Sequence, residues 1–150
     1  ARRQAIPAEE ALAALGEAEA HLRRSCSNPR RLRLSAALLG RARALVRIHG
    51  WALTTRHVLL LTAELHLRQG NVGAARAAAE EVLRLAETGH ARREESLARR
   101  LQAECTLEAG DLTGAAVELR AALEAQQDLG LIPEAARTRA ILAQALTLRD

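Results

Sequence analysis

Apolar and small residues recur along this chain at spacings of three and four, with polar residues between them. That is the period of a helix with one buried face. In the stretch from about Ala8 to Ser25 the stripe is Ala11, Leu12, Leu15, Ala18 and Leu22. It predicts a first helix, preceded by a loose lead-in over residues 1–7 in which Pro7 sets the first turn. Cys26-Ser27-Asn28-Pro29 breaks the pattern, with Asn28 suited to cap the next helix and Pro29 to its first turn. Glycines punctuate the rest. The second helix runs to about His49 and stops at Gly50, the third covers about 51–69 before Gly70-Asn71, and the fourth covers about 72–88 before Gly89. The fifth spans about 91–109 before Gly110, and the sixth starts from a cap at Asp111 and stops at Gly130. The seventh, with Pro133 in its first turn, continues to about Arg149. Seven helices on short connectors leave no room for a strand, so the fold class is all-α.

The pattern also repeats at long range. Ala63-Glu64-Leu65-His66-Leu67-Arg68-Gln69-Gly70-Asn71 returns as Ala103-Glu104-Cys105-Thr106-Leu107-Glu108-Ala109-Gly110-Asp111, forty positions on. A worn copy, Ala143-Gln144-Ala145-Leu146-Thr147-Leu148-Arg149-Asp150, closes the chain, and Ala18-Glu19-Ala20-His21-Leu22-Arg23-Arg24 lies forty-five earlier. The second helix of each pair keeps stricter register: Leu32/Val72/Leu112, Ser35/Ala75/Ala115, Leu39/Ala79/Leu119 and Ala42/Val82/Ala122 all recur at forty. The five extra residues of the first pair therefore lie in its turn, around Cys26-Ser27-Asn28-Pro29, since a helix interior cannot absorb them without rotating its buried face. A fixed period of this size marks a stack of helix hairpins. One domain is expected over 1–150, with repeats at about 8–50, 51–90 and 91–130 and a terminal helix at 131–150. Matched small residues, Ala63, Ala103 and Ala143 on first helices and Ala75 and Ala115 on second ones, allow close antiparallel approach.

These features resemble the tetratricopeptide repeat family. The resemblance is carried by Ala63 and Ala103, the turns Gly70-Asn71 and Gly110-Asp111, Ala75 and Ala115, and the pairs Val82-Leu83 and Ala122-Leu123. It covers about residues 51–130 well and 8–50 and 131–150 more weakly. The repeat departs from the usual length of about 34 residues. Leu59 and Arg99 stand where that family has Trp, His66 and Thr106 where it has Tyr, and no Pro closes the repeats. Long, aromatic-poor repeats of this texture are similar to those of bacterial maltose-activator-type transcription regulators and related signalling ATPases and nucleotide-cyclase regulators. The resemblance implies a right-handed α-solenoid whose concave groove, lined by first helices, binds a peptide, a helix or a partner domain. The implied groove positions are His57, Leu60, Glu64, Leu67 and Arg68, then Leu97, Arg100, Glu104, Leu107 and Glu108. Arg137, Ala140 and Gln144 follow on the last helix, with Glu19, Leu22 and Arg23 on the first.

Composition narrows the function classes. The chain has no Lys, Met, Phe or Tyr, and Trp51 is its one aromatic residue, so the core must be aliphatic and small. That suits a thin stack of closely approaching helices. The net charge of +4 is uneven: residues 1–50 hold ten Arg against four Glu. The run Arg30, Arg31, Arg33, Arg41, Arg43 and Arg47 reads as a solvated face, since no aromatic platform or recognition-helix motif accompanies it, and nucleic acid is not an expected partner. The two cysteines form no disulfide or metal spacing; Cys26 in a turn and Cys105 in a helix are both expected to be inert. His21 and His66 share a motif slot and read as rings packed between helices, and His90 with Glu94 makes a poor metal site. No nucleophile, phosphate-loop or zinc motif appears. No catalytic residue, metal or cofactor is expected, and the chain reads as no enzyme.

No apolar run approaches the roughly 20 residues of a membrane span, so a cytoplasmic protein without membrane contact is expected. The ladder Glu19, Glu64, Glu104, Gln144 has two readings. In one it orients a partner while Arg23, Arg68 and Arg100 catch carboxylates; in the other Glu19–Arg23 and Glu64–Arg68 pair at i,i+4. On the first reading, charge reversal at Glu64 changes partner binding and leaves melting nearly unmoved. The chain starts at Ala1 and stops where another turn would begin. The last helix therefore reads either as a cap or as the opening of a further repeat, the second being favoured. The expected function is a protein- or peptide-binding regulatory module of a larger signalling or transcription protein; the alternative is a sensor domain for a small effector.

Overall fold

The computed structural model of the protein describes residues 2–24 and 28–149, with side chains from Pro7. Its elements are α1 (Arg2–Arg23), α2 (Pro29–His49), α3 (Ala52–Arg68), α4 (Val72–Gly89), α5 (Arg92–Glu108), α6 (Leu112–Asp128) and α7 (Ile132–Arg149). No strand occurs among the described residues. The all-α expectation holds, and the boundaries of the later helices fall within a residue or two of those read from the pattern.

The turns explain why. After α3, the Asn71 N–H donates to the His66 carbonyl at 2.8 Å and Gly70 N–H to Leu67 at 3.0 Å, with Gly70 at φ 77°. After α5 the same pair forms from Asp111 to Thr106 and from Gly110 to Leu107, with Gly110 at φ 88°. After α6 it forms from Leu131 to Gln126 and from Gly130 to Gln127. Each ends a helix by satisfying its last carbonyls, and each needs a residue that tolerates a left-handed backbone. Asn28 caps α2 as expected, its Oδ1 accepting from Arg30 N–H at 3.0 Å.

Three local expectations are corrected. Residues 2–7 of the expected lead-in are helical, and Pro7 lies inside α1 rather than at its first turn. A proline this near the start of a helix forfeits a single ladder bond, and its fixed φ already suits the helix. Helix α4 passes through Gly89, and His90 takes the left-handed turn at φ 49°. Gly89 serves a close approach instead: the Arg56 guanidinium Nη1 would lie 3.1 Å from any Cβ there. His90 consequently sits outside α5 and does not share a helix face with Glu94. The cap expected at Asp111 forms, its carboxylate accepting from Gly114 N–H at 2.8 Å, while Asn71 at the matching turn makes no side-chain cap. The turn placement of Cys26 and the turn role of Asp150 lie outside the described residues.

Successive helices pack in antiparallel pairs, and α1, α3, α5 and α7 also touch in that order, while α2, α4 and α6 do not touch one another. The odd-numbered helices thus form the inner layer of a two-layer stack. The second-helix register is buried at its last three slots, where Ser35, Ala75 and Ala115 are inaccessible, as are Ala79, Val82, Leu119 and Ala122, while in the first slot Leu32 is buried and Val72 and Leu112 are half-buried. One slot further, Val46 and Ala86 are followed by Gln126, a buried amide. Its Oε1 accepts from the Thr138 hydroxyl at 2.6 Å and its Nε2 reaches the Ser96 carbonyl at 3.5 Å, which ties α5, α6 and α7 together. Ala63 and Ala103 are fully buried between helices, whereas Ala143 is exposed, with no described helix packed over it.

Candidate functional site: a charged cleft on the inner layer

All four odd-numbered helices contribute to one cleft of about 380 Å³. Helix α1 supplies Glu19 and Arg23, and α3 supplies His57, Leu60, Leu61, Glu64 and Arg68. Helix α5 supplies Arg93, Leu97, Arg100 and Leu101, and α7 supplies Pro133, Glu134 and Arg137. Spacings of three and four along one helix are what bring His57, Leu60, Glu64 and Arg68 to the same wall. A smaller recess of about 270 Å³, lined by Leu12, Leu53 and Thr54, shares His57, Leu60 and Arg93 with the cleft and extends it.

The floor is ionic. Glu64 is only 7% exposed and accepts from Arg137 at 2.5 Å and from Arg68 at 3.3 Å. Burial alone pushes the Glu64 carboxyl up, but the charge and hydrogen bond of Arg137, helped by Arg100 and Arg68, hold it below the ordinary carboxylate range. Burial also depresses Arg137, and Glu64, helped by Glu104 and Glu19, more than reverses that. Arg100 is 5% exposed. Its Nη1 lies 3.1 Å from Glu104 Oε1, an ion pair without hydrogen-bond alignment, so Nε, Nη1 and that carboxylate oxygen are all buried and unsatisfied. Burial pushes the Glu104 carboxyl up, only partly opposed by Arg100 and Arg137. Burial likewise pulls the Arg100 guanidinium down, against Glu104. An arginine stays charged in a protein, so its desolvation is offset only by an anion that meets it without aligned hydrogen bonds.

The rim pairs adjacent inner helices. His57 Nε2 is 3.8 Å from Glu19 Oε2, and burial holds the imidazole pKa below its usual value despite that carboxylate. Arg93 donates to Glu134 at 3.0 Å, and Glu19 pairs with Arg23 at 2.5 Å.

Of the sequence-predicted groove residues, His57, Leu60, Glu64, Arg68, Leu97, Arg100 and Arg137 converge here, with Glu19 and Arg23. Glu104 lies behind Arg100. Leu67 and Leu107 are half-buried against the core, while Glu108, Gln144 and Ala140 are exposed outside the cleft. Leu22 is fully buried in the core rather than groove-facing, because α2 packs over it. Both i,i+4 pairs of the second reading form. The expectation that charge reversal at Glu64 spares melting is corrected, since that carboxylate is buried between guanidiniums. Sequence reasoning missed Arg93, Glu134 and the Arg137–Glu64 bridge. A signal for Arg100 was present: Leu60, Arg100 and Ala140 share one slot at forty-residue spacing, and only Arg100 is charged.

Other candidates fall away from chemistry. Cys105 is buried and its thiol is pushed up by burial, and His66 is half-buried with its Nδ1 unpartnered. Arg30, Arg33, Arg41, Arg43 and Arg47 are exposed along α2, with Arg41 paired to Glu10 at 3.3 Å. Among the described residues no group of three His, Cys, Asp or Glu side chains could hold a metal ion, and no helix is long and apolar enough to cross a membrane. No protein-family model matches the chain, and neither does any curated protein or solved structure.

Proposed function

We propose that the chain is a non-catalytic interaction module whose inner-layer groove holds a peptide segment or helix of a partner protein. The observation that carries this reading is the single cleft to which α1, α3, α5 and α7 all contribute, continued by an apolar shelf at Leu12 and Leu53. A groove crossing several repeats presents charged pairs of both signs and an apolar track, which is how an extended or helical segment is gripped and oriented. The tetratricopeptide-like turns and alanine positions support the further reading that it is a regulatory part of a larger bacterial signalling or transcription protein.

The test is a random peptide display against the immobilised protein, followed by calorimetry with the selected peptides. The pair His57→Ala and Arg23→Ala, both on the rim, is expected to weaken binding at least tenfold while unfolding stays within about 0.5 kcal/mol. Undiminished binding by that double variant would remove the groove from the account. A second reading, a sensor domain for a small effector, is favoured by the depth of Arg100, since a buried cation suits an enclosed ligand better than a surface partner.

A further inference from the structure

We propose that the floor of this cleft is a binding site for an organic monocarboxylate, seated against Arg100 and Arg137, with an aliphatic tail directed to the recess beside Leu12 and Leu53. The inference deepens the groove reading by naming the chemistry of what the floor accepts, but it stands on a separate observation. Arg100 is nine-tenths buried in the cleft wall, and two of its guanidinium nitrogens have no hydrogen-bond partner.

The pairing says what is missing. Glu64 is already committed to Arg137 and Arg68. Glu104 lies 3.1 Å from Arg100 but without aligned hydrogen bonds. Arg100 is therefore a buried guanidinium with donors to spare in a poorly solvated place, where a charge-assisted bond to an anion is at its strongest. The lining also limits the anion. Glu19, Glu64 and Glu134 line the same space already paired with Arg23, Arg137 and Arg93, which leaves the unaligned donors of Arg100 to one carboxylate rather than to a dianion such as phosphate. The exposed Leu12 and Leu53 give the rest of such a ligand an apolar surface within reach of His57 and Leu60.

A carboxylate of this kind is carried by a free aliphatic acid or by the C-terminus of a peptide ending in an aliphatic residue. The experiment separates them. Arginine side-chain Nε–Hε resonances of the wild-type protein are followed by NMR during titration with hexanoate, with inorganic phosphate at matched ionic strength, and with a short Leu-terminated peptide in free-acid and amidated forms. A saturable shift of the Arg100 resonance with hexanoate establishes the site for a small acid. A shift given by the free-acid peptide alone, and not by its amide, establishes it for a chain terminus. Equal shifts with phosphate, or none with any probe, overturn the proposal, whether or not displayed peptides bind elsewhere in the groove.

Arg100→Lys keeps the charge and loses the planar fork, so affinity for the active probe is expected to fall at least tenfold. Should that variant fail to fold, Arg137→Lys, which likewise keeps the charge and loses the fork, serves the same comparison. Unchanged affinity in a folded variant overturns the assignment.

Discussion

At the residue scale, Glu64 and Glu104 sit one repeat apart in the same slot and are driven in opposite directions by their surroundings. Glu64 has its folded pKa below the ordinary 4.5. Its contribution is therefore present above that value and lost as pH falls through the lower, folded one. The stability gap between wild type and Glu64→Gln, from urea unfolding, should hold at neutral pH and close on acidification below 4.5. Glu104 has its folded pKa raised, so what it contributes is present below 4.5 and lost as pH rises through the folded value. The stability of Glu104→Gln relative to wild type, from urea unfolding, should accordingly rise as pH rises through the folded value. Glu64→Arg is a harsher change. It strands Arg137 and Arg68 beside a further buried cation, and a loss of about 3–5 kcal/mol is expected in denaturant unfolding. The glutamate ladder was legible as a repeat of residue type, but the opposite fates of its members were not. They depend on Arg137, which lies 73 residues from Glu64 in sequence.

At the element scale, helix ends and helix faces were legible wherever the cause was local. Gly70, Gly110 and Gly130 stop helices through their own backbone freedom, and the three–four–three register of α2, α4 and α6 names their buried faces. Gly89 misled because its purpose is tertiary, the passage of Arg56, which no local pattern announces. The two capping turns invite a direct comparison. Asp111→Ala should cost about 1 kcal/mol, while Asn71→Asp, which adds a carboxylate at a helix start now lacking a side-chain bond, should gain up to about 1 kcal/mol. Thermal unfolding of both variants checks the pair, and equal and opposite shifts are expected. The buried joint among Ser96, Gln126 and Thr138 is another case that sequence concealed, since glutamine at an apolar slot reads as a defect. Thr138→Val leaves the Gln126 Oε1 without its donor and should cost about 1–3 kcal/mol, whereas adding Gln126→Leu should recover most of that loss. No recovery in the double variant would mean that the amide acts through something other than this hydrogen bond.

At the scale of the whole molecule, each helix touches its sequence neighbours and, on the inner layer, the next odd-numbered helix. Stability in such a stack is close to a sum of units and nearest interfaces, so damage should stay local. The Arg137–Glu64 bridge is the exception to test. Helices α3 and α7 do not pack on each other, yet this contact joins them across α5. Replacing Arg137 by Met keeps the apolar stem and removes the charge, so α7 retains its packing on α6 and loses its tie to α3. Hydrogen exchange should then quicken in α7 by about tenfold or more, as loss of a hydrogen bond between charged groups implies. Protection in α1 and α2, three interfaces away, should be unchanged. A uniform loss over all the helices would show instead that the stack opens as one cooperative body, with the ionic floor of the cleft as its keystone. In that event the cleft could not change state without unfolding the molecule. Confined loss would leave α7 free to respond to whatever occupies the floor, because a ligand competing for Arg137 acts on the same tie that the substitution cuts.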